Sequence, residues 1–249
     1  MYNPFSLEGK TILITGASSG IGRATAIECS RMGATLVLTG RNVERLQETF
    51  EALEGEGHQQ VIADLSDLSQ IDELVSVLPL IDGCVNNAGY NILQLVSFIR
   101  EIDVEALFRV NTQAPIVLVR SLVKRRKLNR NASIVFTASI SGRSVVSLGN
   151  SLYSATKGAL TAFMRNAALD LASKKIRCNA VLPGMIATPL KEGKSQITDE
   201  QWEANRKLYP LKRFGEPRDV ALAIVYLLSD ASNWMTGTEL IIDGGRTLV

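Results

Sequence analysis

The chain has 249 residues, 46% of them apolar, and carries 27 basic against 25 acidic side chains for a formal charge of +2. That balance excludes a strong electrostatic commitment to nucleic acid or to an anionic membrane, and no apolar run reaches the length of a membrane span. One histidine, His58, removes most catalytic schemes built on imidazole, and Cys29, Cys84 and Cys178 lack any CxxC or Cys/His spacing that would point to a metal. The opening residues lack the basic and then apolar build of a signal peptide, so a cytoplasmic protein is expected.

The first element is a β-branched strand over 11–15, which stops at Gly16-Ala17-Ser18-Ser19-Gly20-Ile21-Gly22 before a helical pattern. Strand, glycine turn and helix form the layout in which the backbone approaches a pyrophosphate and a helix N-terminus offers it free N–H groups. The same glycines fit the GxSxG nucleophile elbow of hydrolases, but that elbow needs a later histidine and none follows His58. A second strand over 35–39 ends at Gly40-Arg41. Where a dinucleotide fold places an acid on the adenosine ribose this chain has Gly40, and the arginine beside it favours a 2′-phosphate, hence NADP(H) over NAD.

A helix through Leu46, Phe50 and Leu53 leads to a strand over 60–63 closed by Asp64-Leu65. A helix over 67–77 leads to a strand over 81–85 closed by Asn86-Asn87-Ala88-Gly89, a turn suited to packing beside a cofactor. One long helix is expected over 104–127, holding Asn111 and Pro115 and ending in four basic residues. A strand over 133–138 runs out at Ser139-Ile140-Ser141-Gly142, and a helix reaching Ser173 follows, with Tyr153 and Lys157 four residues apart near its start. A strand over 177–182 ends at Pro183-Gly184, and the polar stretch 188–210 has the composition of a substrate lid. A helix over 217–228 and a strand over 239–242 complete an alternation that predicts one doubly wound α/β domain over 1–249, with a parallel sheet.

Tyr153 and Lys157 stand one above the other on a helical face. A phenol titrates near 10, too high for easy proton exchange. An ammonium about 4 Å away, at an effective dielectric near 20, favours phenolate by roughly 4 kcal/mol or about three pK units.

In this order and spacing, Thr15 to Gly22, Asn86 to Gly89, Asn111, Ser139, Tyr153 to Lys157, Pro183-Gly184 with Thr188, and Asp243-Gly244-Gly245 closely resemble the short-chain dehydrogenase/reductase family along nearly the whole chain. The resemblance implies a Rossmann domain with seven parallel strands and a catalytic tetrad of Asn111, Ser139, Tyr153 and Lys157. Tyr153 would protonate a carbonyl oxygen as hydride arrives. Lys157 would lower the tyrosine pKa and hold the ribose, Ser139 would bond the carbonyl, and Asn111 would help hold a relay water. It also implies a cofactor site of Gly16, Ser18, Ser19, Gly20, Ile21, Gly22, Arg41, Asp64, Leu65, Asn87, Ala88, Gly89, Tyr153, Lys157, Pro183, Gly184, Ile186 and Thr188.

Substrate contacts are expected from Ser139, Ser141, Tyr90 and Trp202, with Asn91 and Asn150 as further candidates. The stretch from Ser139 to Tyr153 is one residue longer than the family's usual spacing, which keeps Ser141 as an alternative to Ser139. The 211–217 segment and Thr236-Gly237 resemble the 3-oxoacyl-acyl-carrier-protein reductases. That resemblance implies an NADPH-dependent carbonyl reductase, with Arg125, Arg126, Lys174 and Lys175 available to an acidic acyl carrier protein. The alternatives are a sugar, polyol or diketone dehydrogenase of the same family, similar to xylulose reductases, and a non-catalytic dinucleotide-binding protein. By the same resemblance a homodimer or homotetramer is expected, paired through the two long helices.

Overall fold

The computed structural model describes residues 2–187 and 198–249. In chain order the strands are β1 (Thr11–Thr15), β2 (Thr35–Gly40), β3 (Gln59–Ile62), β4 (Ile81–Asn86), β5 (Leu128–Thr137), β6 (Arg177–Pro183) and β7 (Glu239–Ile242). The helices are α1 (Gly20–Arg31), α2 (Val43–Glu51), α3 (Leu68–Val77), α4 (Glu101–Phe108), α5 (Ala114–Lys124), α6 (Ser151–Leu171), α7 (Asp199–Lys207) and α8 (Pro217–Leu228). The strands form one seven-stranded parallel sheet in the order β3-β2-β1-β4-β5-β6-β7. This is the expected doubly wound α/β fold. Strand order reverses between β1 and β4, where a crevice opens beyond the carboxyl ends of the strands.

Central strands such as Ile12-Leu13-Ile14 and Ala180-Val181-Leu182 are buried on both faces, because helices cover both sides of a parallel sheet. One face packs Leu13, Phe136 and Cys178 against Leu118 of α5 and Leu160 and Met164 of α6. The other packs Ile12, Leu36 and Val181 against Ala26 of α1 and Ile224 of α8. Each fully buried Leu or Ile contributes about 1.5–3 kcal/mol. Helix starts follow local chemistry: Asn42 accepts from Arg45 N–H at 2.8 Å, Asp67 from Ser69 N–H at 3.0 Å, and Asp219 from Glu216 N–H at 2.8 Å.

The expected unbroken helix over 104–127 is corrected to α4, a π turn over Arg109–Gln113, and α5, which ends at Lys124. Pro115 explains the break. It has no N–H to give to the carbonyl of Asn111 four residues earlier, and its ring crowds that carbonyl, so the helix widens there. Boundaries also shift. α2 ends at Glu51 rather than reaching Leu53, β3 is one residue earlier, and β5 begins at Leu128. Among the described residues no helix is long and apolar enough to cross a membrane.

Candidate active site

The strand ends bring the expected residues to one rim. Gly16 adopts φ +63°, and a Cβ there would lie 2.9 Å from the Cα of Ala88, so only glycine permits this approach of the two turns. Thr15 stitches them together: its Oγ1 accepts from the N–H groups of Asn87 and Ala88, both at 3.0 Å, and donates to the Val85 carbonyl at 3.2 Å. The Asn87 amide donates back to the carbonyls of Thr15 and Gly16. A Cβ on Gly22 would meet that amide at 2.6 Å. Ser19 caps α1 without a side-chain hydrogen bond, which leaves first-turn N–H groups to an anion. Ser18 stands over Gly40, and Ile21 packs against the β1–α1 layer.

Beyond β2, Arg41 reaches to 3.9 Å from Asp64, whose Oδ1 accepts from the N–H and hydroxyl of Ser66. Arg41 lines a cleft of about 500 Å³ with Ser66, Tyr90, Glu105 and Arg109. Leu65 lies buried beside it against Ala88 and Val110. At the other end, Gly184 N–H donates to the Ile242 carbonyl and Met185 N–H to the Tyr209 hydroxyl, both at 2.9 Å, while Ile186 bridges to Gly215. Thr188 and the first half of the expected lid lie outside the described residues. The glycine cradle, the uncapped helix and the cleft fit a nicotinamide dinucleotide, which when bound supplies the hydride.

Tyr153 and Lys157 share a face of α6, the ammonium lying 5.7 Å from the centre of the phenol ring. Lys157 is buried and donates to the Thr137 carbonyl at 2.8 Å. Burial brings its pKa down to about 8. Burial also pushes Tyr153 up to about 12, an effect that its hydrogen bond with Ser139 opposes. The expected depression of the phenol by the lysine is therefore corrected. The ammonium faces the ring and the Thr137 carbonyl, and enclosure is the largest cause acting on the phenol. At neutral pH Tyr153 is a proton donor, and Lys157 is the group poised to exchange.

Ser139 caps the short turn Ile140–Gly142, its Oγ accepting from Ser141 N–H at 3.2 Å, while Ser141 itself is half-buried. Gly142 seats that turn on α6: a Cβ there would lie 2.8 Å from the nitrogen of Gly158. Asn111, held in the π turn, accepts from Tyr90 N–H at 3.0 Å and donates to the Tyr90 carbonyl at 2.9 Å and the Thr156 hydroxyl at 3.2 Å. A Cβ on Gly89 would touch Asn111 Oδ1 at 3.0 Å and Lys157 Nζ at 3.4 Å, so both groups converge there. The tetrad thus comes together from three separate elements.

Other expectations land elsewhere. Tyr90 lines the Arg41 cleft, while its backbone is bonded to Asn111. Trp202 stacks edge-on against Phe214 at 5.2 Å, and Phe214 in turn packs on Tyr209 at 5.5 Å. Its ring holds α7 to the segment behind it. Asn91 Nδ2 donates to Asn150 Oδ1 at 2.9 Å, which ties the two amides together. Arg125, Arg126, Lys174 and Lys175 follow the C-terminal ends of α5 and α6, at the opposite end of the sheet from Tyr153. Along α6 that is about 30 Å at 1.5 Å per residue. Two contributors gave no sequence signal: the Thr137 carbonyl, a backbone group, and Tyr209, a lone aromatic after a polar stretch.

Comparison with known proteins agrees with this geometry. A family model described as enoyl-(acyl carrier protein) reductase matches residues 16–247. The chain is 36% identical to the 3-oxoacyl-[acyl-carrier-protein] reductase FabG of Thermotoga maritima, over 97% of this chain and 99% of that one. It is 35% identical to a glucose 1-dehydrogenase of Gluconobacter oxydans, over 96% of this chain and 92% of that one. A Beutenbergia cavernae structure with NADP at low occupancy, provisionally described as an NAD(P)-dependent gluconate 5-dehydrogenase, superimposes with a TM-score of 0.87 at 29% identity. It covers 99% of this chain and 100% of that one. The chain belongs to the short-chain dehydrogenase/reductase family. It is an oxidoreductase of CH–OH and carbonyl groups.

Proposed function

We propose that this protein is an NADPH-dependent reductase of 3-oxoacyl thioesters, in which Tyr153 donates the proton to the carbonyl oxygen. Ser139 hydrogen-bonds the same oxygen as charge develops on it. Lys157, whose pKa of about 8 suits proton exchange, would resupply Tyr153 through an intervening water, since its ammonium is set on the Thr137 carbonyl.

The observation that carries the substrate class is the apolar mouth. The 91–98 and 143–150 loops are tied by Gln94 N–H to the Gly149 carbonyl at 2.8 Å. They hold Leu93, Val146 and Leu148 at 62, 92 and 86% exposure. An acyl chain covers such side chains at a gain of about 25 cal/mol per Å². The FabG relative supports this reading, and an acyl carrier protein would deliver such a thioester. A second reading, a sugar or polyol dehydrogenase, draws on the glucose and gluconate dehydrogenase relatives. Arg41 in the cleft supports NADP(H), and the protein would act in the cytoplasm as a homodimer or homotetramer with one domain per chain.

Initial rates with an acetoacetyl thioester, a ketose and gluconate, each with both cofactors, test the reading. Thioester reduction with NADPH is expected to exceed the others. A preference for ketose, or for gluconate oxidation, would move the protein to the second reading. Arg41→Ala should weaken NADPH about ten- to a hundredfold, the worth of a charged hydrogen bond, and leave NADH nearly unchanged. Equal losses would remove Arg41 from the 2′-phosphate.

A further inference from the structure

Behind the catalytic loop lies a charge cluster that the chemistry above does not use. Glu239 starts the edge strand β7, yet its side chain is only 5% exposed. Its Oε1 takes a short bond from Arg165 of α6. Its Oε2 faces Arg143 Nη1 at 3.2 Å, an ion pair without an aligned hydrogen bond. Arg143 directly follows the Ile140–Gly142 turn that Ser139 caps, and Arg165 lies two turns along α6 from Lys157. A carboxylate this enclosed is costly to bury unless paired. Here the pairing joins the serine loop and the tyrosine helix to a third element. Gly142 seats the loop on α6 from one side, and Arg143 holds it from the other.

We propose that Glu239 is a positioning residue, acting through Arg143 to hold Ser139 in register with the Tyr153 hydroxyl. The proposal rests on the reading of Ser139 and Tyr153 as the reacting pair. The clamp fixes the loop on α6, so its loss lets the loop shift without disturbing the glycine cradle at the other end of the rim. A displacement of about 1 Å at a reacting group costs up to about a hundredfold in rate.

The test is Glu239→Gln, which keeps the shape and removes the charge, alongside Arg143→Met, whose half-exposed side chain leaves folding intact if the first variant does not fold. Each should lower kcat about tenfold or more, with the NADPH dissociation constant, read by fluorescence, unchanged. The double variant should be no slower than the single ones, because both act on one contact. The groups set against Tyr153 are Ser139 from the loop and Lys157 from its own helix. Weakening the Ser139 bond removes help to the carbonyl oxygen as charge develops on it, so the loss should fall on kcat and leave the KM for NADPH unchanged. Folded variants with wild-type kcat, whatever their melting temperature, would overturn the proposal, as would additive losses in the double variant. Tyr153→Phe is run beside them: full activity there would remove the catalytic reading itself, while an inactive Tyr153→Phe with fully active clamp variants would remove the clamp alone.

Discussion

At the scale of single residues, Lys157 holds a proton at a cost. Its pKa of about 8 in the fold, against 10.5 when free, means that the unfolded chain binds more protons between those values, so stability rises with pH across that window. Measured against Lys157→Met, the wild type should gain up to about 3 kcal/mol between pH 8 and 10.5, at about 1.4 kcal/mol per pK unit. Tyr153, raised from 10 to about 12, acts in the opposite sense: stability is lost as pH climbs through that range. Both proteins carry that phenol, so the difference between them isolates the lysine. Urea unfolding at pH 7.5 and at pH 10 measures it, and a difference that does not change with pH would place the ammonium in water. The spacing of Tyr153 and Lys157 was legible in the sequence; the sign of the tyrosine shift was not. It depends on which atoms the ammonium faces, and the Thr137 carbonyl that turns it away belongs to a strand twenty residues earlier in the chain.

At the scale of elements, periodicity located every described strand and the helices other than α7, which falls in the stretch read as a lid, and it missed the break over Arg109–Gln113, although Pro115 was in plain view. A proline four residues after a site residue is a readable cue, because it disturbs that residue's own carbonyl. Trp202 illustrates the converse. A large aromatic in a polar stretch reads as a substrate contact, and the structure sets its ring edge-on against Phe214, where it can anchor α7. Trp202→Ala should lose about 0.5–1.5 kcal/mol at that contact. The loss should appear as faster local hydrogen exchange in α7, with kcat for a small ketone within about twofold of wild type. A large fall in kcat with unchanged exchange would return Trp202 to the substrate.

At the scale of the whole molecule, the alternation of strands and helices was enough to foresee a parallel sheet and a site beyond its carboxyl edge, since only a crossover helix returns the chain for parallel pairing. Distances between the rim residues lay beyond the sequence, because they are set by loops whose side chains meet partners far along the chain, as Arg143 meets Glu239. So did the placement of the basic helix ends at the far edge of the sheet.

The seat of Gly142 on Gly158 is a contact of backbone on backbone, with no side chain between them. Hydrostatic pressure acts by eliminating voids, and this joint offers none, whereas the Arg41 cleft is open space of about 500 Å³. Chemistry and cofactor affinity should therefore separate under compression: the activation volume of the reduction step stays close to zero while the dissociation constant of NADPH drifts with pressure.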